Sequence, residues 1–442
     1  MSELFHHLSH RSAIYTAATR LSYKDLRAAV ESRKSQFSHA SYLYLNPIQP
    51  KIDFIINFIA LFELELAQCP VSSSQYRTIA SYLAPFTPTC RVDQLETIPQ
   101  LPSEPTAHQR HPECVLVMMT SGSSGSPKAV QLSANNILHN LESVIESLHF
   151  EQVEKQVLFL PFNYAYGLLG QLLPGLYLGK ENYLFDSLLE ARASLPELSG
   201  KIMISGVPSH LKVLAQFIPK QQAAKVSHVV SAGDHLAQDL RESLKKKFNK
   251  AVLFNNYGLT EISPRALSLN SIDPEFFTSA TGRPVRHVDV RLSDTGEVLL
   301  GGPQVMLGYL GENSASTYTE GWLHTGDLGQ LDDGLVTILG RADDVVKIGG
   351  AKVSLKAITN VIKTHPKITE AFCWTQGDEL YGKKVHMAIE TGFPLETGEL
   401  SPILKENELD HLDMTYHIMR EFPRLTNGKL DRVSLKQQAH AL

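Results

Sequence analysis

Between Val115 and Asn256, short apolar runs alternate with stretches whose apolar residues recur at helical spacing. A chain with that texture buries its runs as a mainly parallel sheet covered by helices. The candidate strands are Val115–Met119, Val157–Leu160, Ile202–Ser205, Val226–Val230 and Val252–Phe254. Ile137, Leu141, Val144 and Leu148 form one helical stripe, with Ser133 placed to cap it, and Leu236, Leu240 and Leu244 form another. After Thr281 the texture changes to short strands with tight turns at Asp294-Thr-Gly296 and Asp333-Gly334, as in a small β subdomain. The roughly 100 residues beyond Arg341 mix strands (Ile368–Trp374, Val385–Glu390) with a helical stretch (Ser354–Lys363), enough for a small α+β unit. The expected fold is therefore α/β: a large N-terminal domain over 1–341, with a β subdomain at about 281–341, then a small domain over 342–442.

The first of these runs leads into Thr120-Ser-Gly-Ser-Ser-Gly-Ser-Pro-Lys128. Gly122 and Gly125 tolerate positive φ, so successive backbone N–H groups can converge on phosphate oxygens. Thr120, Ser121, Ser123 and Ser124 add hydroxyl donors, and Lys128 adds a point charge. The spacing is not that of a Walker loop, because Lys128 follows a proline three positions after the last glycine. Taken alone, a Ser/Gly-rich loop is more often a flexible turn. As a functional loop it points to a polyphosphate, ATP.

Composition excludes several classes. A net charge of −5, with no basic cluster beyond Lys245-Lys246-Lys247, leaves no electrostatic footprint for nucleic acid. Cys69, Cys90, Cys114 and Cys373 are scattered, suggesting neither a disulfide framework nor a zinc site, and a cytoplasmic protein is expected. The N-terminus does not read as a signal peptide. Gln156–Gly179 is uncharged and long enough to span a bilayer, but Pro161, Asn163, Gln171, Pro174 and internal glycines make a buried pocket wall the better reading.

Five motifs occur in order: MTSGSSGSPKAV, NNYGLTE at 255–261, GWLHTGDLG at 321–329, GRADDVVK at 340–347 and PRLTNGKLDR at 423–432. This ordered set resembles the adenylate-forming superfamily of acyl- and aryl-CoA synthetases, peptide-synthetase adenylation domains and luciferases. LSYKDL at 21–26 is similar to the family's opening element, although the N-terminal part is short. The resemblance implies that Lys128 and the loop contact the β- and γ-phosphates of ATP and that Glu261, beside Thr260, contacts Mg²⁺. It places Tyr257 and Gly258 against the adenine, with Asn256, Ser231, Ala232 and Gly233 along the base. Asp327, in the Thr325-Gly-Asp327 turn, and Arg341 would hold the ribose. Lys429 resembles the catalytic lysine that bridges the substrate carboxylate and the α-phosphate, and Asp343 the hinge about which the small domain swings between two half-reactions.

The resemblance also implies that the acid pocket is built around Leu160-Pro-Phe-Asn-Tyr-Ala-Tyr-Gly167, with Asn163, Tyr164, Tyr166, Gly167 and Leu168 lining it. Amino-acid-activating relatives place an aspartate where this chain aligns Asn163, which offers no countercharge to an α-ammonium, so an aryl or acyl acid is expected. Three departures stand out. Ala129 replaces a glycine, Tyr164 stands where many acyl-CoA synthetases have histidine, and Ser354–Thr359 lacks the common Glu-Ile-Glu, which bears on the thiol step.

The expected activity is an ATP- and Mg²⁺-dependent acid–thiol ligase with CoA as acceptor. Alternatives are the phosphopantetheine thiol of a separate carrier protein, another nucleophile such as an amine, and an inactive nucleotide-binding homologue. The chain ends shortly after the GKLDR turn, so any carrier is expected to be a separate protein.

Overall fold

The computed structural model describes residues 13–37, 42–93, 110–121, 127–195, 198–311, 317–348, 351–378, 382–407, 409–410, 412–425 and 428–441. Two compact units are present: Met1–Arg291 with Leu299–Thr325 and Leu331–Thr337, and Ile338–Leu442 with Leu292–Val298 and Gly326–Gln330.

The first unit contains two large sheets. In the nine-stranded sheet the order is Arg283–Pro284, Leu267–Asn270, Val252–Tyr257, Val226–Ala232, Ile202–Gly206, Lys155–Leu158, Glu181–Leu184, Ala13–Tyr15 and Arg20–Ser22. Val252–Tyr257 through Ala13–Tyr15 run parallel, and the other strands close the edges antiparallel. Its central strands are buried along their length, which is why they read as apolar runs rather than as alternating patterns. The six-stranded sheet follows the order Gly308–Tyr309, Pro127–Ser133, Cys114–Ser121, Gln68–Val71, Leu43–Pro47 and Thr89–Arg91.

Helices cover these sheets. Ser133 caps the helix Ala134–Ser147 as its sequence implied, and its hydroxyl accepts from the Asn136 N–H while the Asn136 side chain accepts from the Ser133 N–H. Ile137, Leu141 and Val144 then point into the core. The helix Lys51–Glu63 is buried on nearly every side, and Phe54, Phe58 and Phe62 pack at successive ring distances of 5.9 Å. The uncharged stretch after Gln156 is one strand followed by helical turns at Ala165–Gly167, Leu168–Leu172 and Leu173–Tyr177, all largely buried. No helix among the described residues is long and apolar enough to cross a membrane.

Between Asp289 and Arg341 the chain forms further strands joined by tight turns. The Asp333-Gly334 turn between Trp322–Asp332 and Leu335–Arg341 has both residues at positive φ, 45° and 74°, the geometry that favours this dipeptide in two-residue hairpins. The second unit carries the three-stranded sheet Glu370–Asp378, Gly382–Glu390 and Met414–Met419. Ile358 and Ile362, on the helix Leu355–Ile362, pack against it with Val385, Met387 and Ile389. This is the α/β architecture with a smaller C-terminal unit that the sequence pattern implied.

Candidate active site

Three side chains converge beside the hairpin that carries the Ser/Gly-rich loop. The strands Cys114–Ser121 and Pro127–Ser133 pair antiparallel, which sets Thr120 opposite Lys128. Val115–Met118 are buried and fix this hairpin in the six-stranded sheet. Gly122, Ser123, Ser124 and Gly125 lie outside the described residues, as does the side chain of Ser121. The Lys128 ammonium lies 4.4 Å from the centroid of the Tyr309 ring. The Tyr309 hydroxyl in turn donates to Glu261 Oε1 at 2.8 Å. Tyr309 is held there because the strand Gly308–Tyr309 pairs with Val130 and Gln131 next to Lys128. Its importance was not legible in Leu307-Gly-Tyr-Leu310, where a single aromatic among apolar residues reads as core.

Glu261 sits in the tight turn Thr260–Ile262, and its carbonyl accepts from the Met306 N–H at 2.9 Å. The approach to that turn needs a glycine. A Cβ on Gly258 would lie 1.8 Å from the carbonyl oxygen of Pro264, so only hydrogen fits where the chain folds back.

Ser231, Ala232, Asn256 and Tyr257 occupy the carboxyl ends of two adjacent parallel strands, where open α/β sheets present their ligand crevices. Ser231 pairs with Asn255 and Ala232 with Asn256, and Gly233 leaves the sheet at φ 87°. Ser231 is 1 % and Asn256 3 % exposed, yet among the described residues the Ser231 hydroxyl and both polar atoms of the Asn256 amide have no hydrogen-bond partner. Buried polar groups are normally satisfied. An orphaned hydroxyl and amide at strand ends fit the polar edge of a heterocycle. The neighbouring Asn255, by contrast, is satisfied by the Thr281 carbonyl at 2.9 Å. Tyr257 remains partly accessible, as a ring presented to a ligand must be.

The expected acid-pocket segment packs against the same sheet. Asn163 is buried and donates to Gln75 Oε1 at 3.1 Å, while its own Oδ1 has no partner among the described residues. Tyr164 is partly buried and Leu168 fully so. A Cβ on Gly167 would lie 2.5 Å from the Pro161 carbonyl, which again requires glycine. Tyr166 is partly accessible and donates to the Val230 carbonyl at 3.0 Å. Burial pushes its phenol up to about 12, so it is neutral at physiological pH. Behind it lies Arg265, which the sequence reading had not singled out although it is the lone charge in Ile262-Ser-Pro-Arg-Ala-Leu267.

The remaining candidates belong to the second unit. Asp327 is buried, and Arg341 Nη1 lies 3.5 Å from its Oδ1. The segment Thr325-Gly-Asp327 was expected to be a turn; it lies instead inside the strand Trp322–Asp332. Gly326 kinks that strand at φ 71°, its N–H donates to Glu297 Oε1 at 2.8 Å, and a Cβ there would come within 2.6 Å of the Arg341 guanidinium. Asp343 lies in the short helical turn Ala342–Asp344. Lys429 is exposed beside Gly428, which takes φ 82°, and its carbonyl accepts from the Leu425 N–H at 2.8 Å.

A family model described as AMP-binding enzyme matches residues 61–310, more than half of the chain. The chain is similar to 2-succinylbenzoate–CoA ligase of Bacillus subtilis, with 26 % identity over 79 % of this chain and 74 % of that protein. It is also similar to 4-coumarate–CoA ligase 2 of Narcissus pseudonarcissus, with 26 % identity over 73 % of this chain and 62 % of that protein, less than two thirds of its length. Among solved structures, the O-succinylbenzoate coenzyme A synthetase of Bacillus subtilis in complex with ATP and magnesium ion superposes with a TM-score of 0.80. That likeness covers 98 % of each chain at 22 % identity and speaks to the fold.

Proposed function

The chain belongs to the family of AMP-binding enzymes, and from that premise we propose that it is an AMP-forming acid–thiol ligase. In the first step a carboxylate oxygen of the acid attacks the α-phosphorus of ATP, the bond to the β-phosphate oxygen breaks, and pyrophosphate leaves as the acyl-adenylate forms. In the second, a thiol sulfur attacks the acyl carbon, AMP departs with the electron pair, and the thiol proton is released. The acid we propose is an aryl or acyl acid rather than an α-amino acid, because Asn163 offers no countercharge to an ammonium. The thiol we propose is that of CoA, as in the names of the similar ligases.

The observation that carries this reading is the Lys128–Tyr309–Glu261 arrangement. Two anions must meet in the first step, so the site has to offset their repulsion and stabilise charge on departing pyrophosphate. Lys128 supplies a cation whose position is fixed over the Tyr309 ring, an arrangement worth about 0.5–2 kcal/mol of orientation. Glu261, oriented by the Tyr309 hydroxyl, would hold Mg²⁺, which would supply positive charge against the phosphates. Ser231 and Asn256 would satisfy their orphaned groups on the adenine, and Asp327 with Arg341 would take the ribose. Lys429 would approach both reacting groups during adenylation, and the segment 342–442 would swing about Asp343 to admit the thiol. Acid-dependent exchange of labelled pyrophosphate into ATP, over fatty, aryl and amino acids, tests the first step without needing the acceptor. Signal with aryl or acyl acids alone supports the proposal, and signal confined to amino acids overturns the assignment of the pocket.

A further inference from the structure

Among the described residues of the first unit, Arg241 and Arg265 are both entombed, and they are treated in opposite ways. Arg241 is 1 % exposed, and its guanidinium donates to the carbonyls of Leu236, Phe276, Thr278 and Ala280 at 2.7–3.1 Å. It is a structural arginine, satisfied by the fold. Arg265 is 2 % exposed, and neither Nη1 nor Nη2 has a hydrogen-bond partner among the described residues. Burial pulls it down only to about 10, so the guanidinium keeps its charge at neutral pH.

Among the described residues no hydrogen-bonding or ion-pairing anion accompanies the Arg265 fork. The Tyr166 ring lies 5.9 Å away and its phenol is neutral, committed to the Val230 carbonyl. A Cβ on Gly170 would be 3.6 Å from Nη2, so the glycine backbone lies beside the fork. The Gln171 amide, 1 % exposed, lies within reach of the Tyr166 phenol. Leaving a charge buried and unpaired costs several kcal/mol, a penalty that persists in a fold when something outside the chain removes it. Tyr166 belongs to the proposed acid-pocket segment Leu160–Gly167, which Gly170 closely follows, whereas the group proposed to face phosphate is Lys128, Tyr309 and Glu261. The anion due at Arg265 therefore comes with the acid and is not the carboxylate that reacts.

We propose that Arg265 receives a second carboxylate of the acid, so that the enzyme activates dicarboxylic acids. This inference rests on the acid-activation reading above. A planar guanidinium fork takes a carboxylate through two parallel hydrogen bonds, and a site that holds such a charge rejects analogues lacking the anion, because they leave the fork unpaired.

The test uses the full chain with succinate, glutarate, adipate and terephthalate, each set against its own monomethyl ester. In pyrophosphate exchange the diacid is expected to exceed its monoester by about 100-fold or more in kcat/KM. Arg265→Met should lose activity on the diacid, gain on the monoester, and melt no lower than wild type, since it removes an unpaired buried charge. Arg265→Lys should restore part of the diacid preference. Equal use of diacid and monoester by wild type, or an equal fall on both in Arg265→Met, overturns the proposal. Calorimetric titration of the same diacids in the presence of AMP separates the two readings. Diacid binding that Arg265→Met abolishes, without exchange in wild type, retains this subsite and overturns the ligase; exchange with monocarboxylic acids alone, and no diacid binding, does the reverse.

Discussion

Tyr309 shows how one residue can tie the chemistry of a site together without belonging to any recognisable motif. Its ring faces the Lys128 ammonium and its hydroxyl orients Glu261, so the cation and the carboxylate assigned to phosphate and metal are held through a single side chain. Tyr309→Phe keeps the ring and deletes the hydrogen bond. The bond to a charged acceptor is worth about 1.5–3 kcal/mol, so exchange should fall roughly 10- to 100-fold with a raised Mg²⁺ requirement, while ATP affinity measured without metal changes little. A Mg²⁺ titration of the exchange rate checks this, and an unchanged requirement would remove Tyr309 from the metal side of the site. Lys128, Glu261 and Lys429 could be named as candidates from the sequence because each sits in a recognisable motif. Tyr309 and Arg265 were not, since what matters about them is an across-sheet neighbour in one case and a missing partner in the other, and neither leaves a local signature.

At the scale of elements, the central strands Ile202–Gly206, Val226–Ala232 and Val252–Tyr257 position most of the proposed adenine contacts. They were legible because burial on both faces forces continuous apolar runs. The strand Val226–Ala232 carries a cost within it. His228 is 3 % exposed, stacks on Phe254 at 5.6 Å, and is pulled down to about 4 by burial, with His149 and Lys201 adding to the effect. A histidine whose folded-state value lies below its unfolded one takes up its proton only on unfolding, between about pH 6.5 and pH 4. Stability should therefore fall as pH drops through that window, by on the order of 3 kcal/mol from this group. Urea melts of wild type and His228→Asn from pH 7 to pH 4 should show a shallower acid limb for the variant. Identical limbs would place the proton elsewhere. The kinked strand through Thr325-Gly-Asp327 was not legible, because a glycine beside an aspartate reads as a turn whenever its neighbours across the sheet are unknown.

For the whole molecule, the proposal requires one enzyme to run two reactions whose demands differ, with Asp343 as the pivot between them. Asp343→Pro fixes φ there and removes a backbone donor. Acid-dependent pyrophosphate exchange should survive in this variant, while thioester formation falls at least about tenfold. Equal losses in both steps would argue against a hinge at this position. The fold class was readable from periodicity, whereas the identity of the acid was not, because the proposed specificity depends on the buried surroundings of side chains such as Arg265 and Asn163 rather than on their spacing. The most direct test of the central claim is acid-dependent exchange of labelled pyrophosphate into ATP by wild type and Lys429→Ala. We predict clear exchange by wild type, and in the variant a fall of about 100-fold or more with ATP still bound. Exchange undiminished in Lys429→Ala, or none in wild type with any acid while ATP binds, would contradict the account.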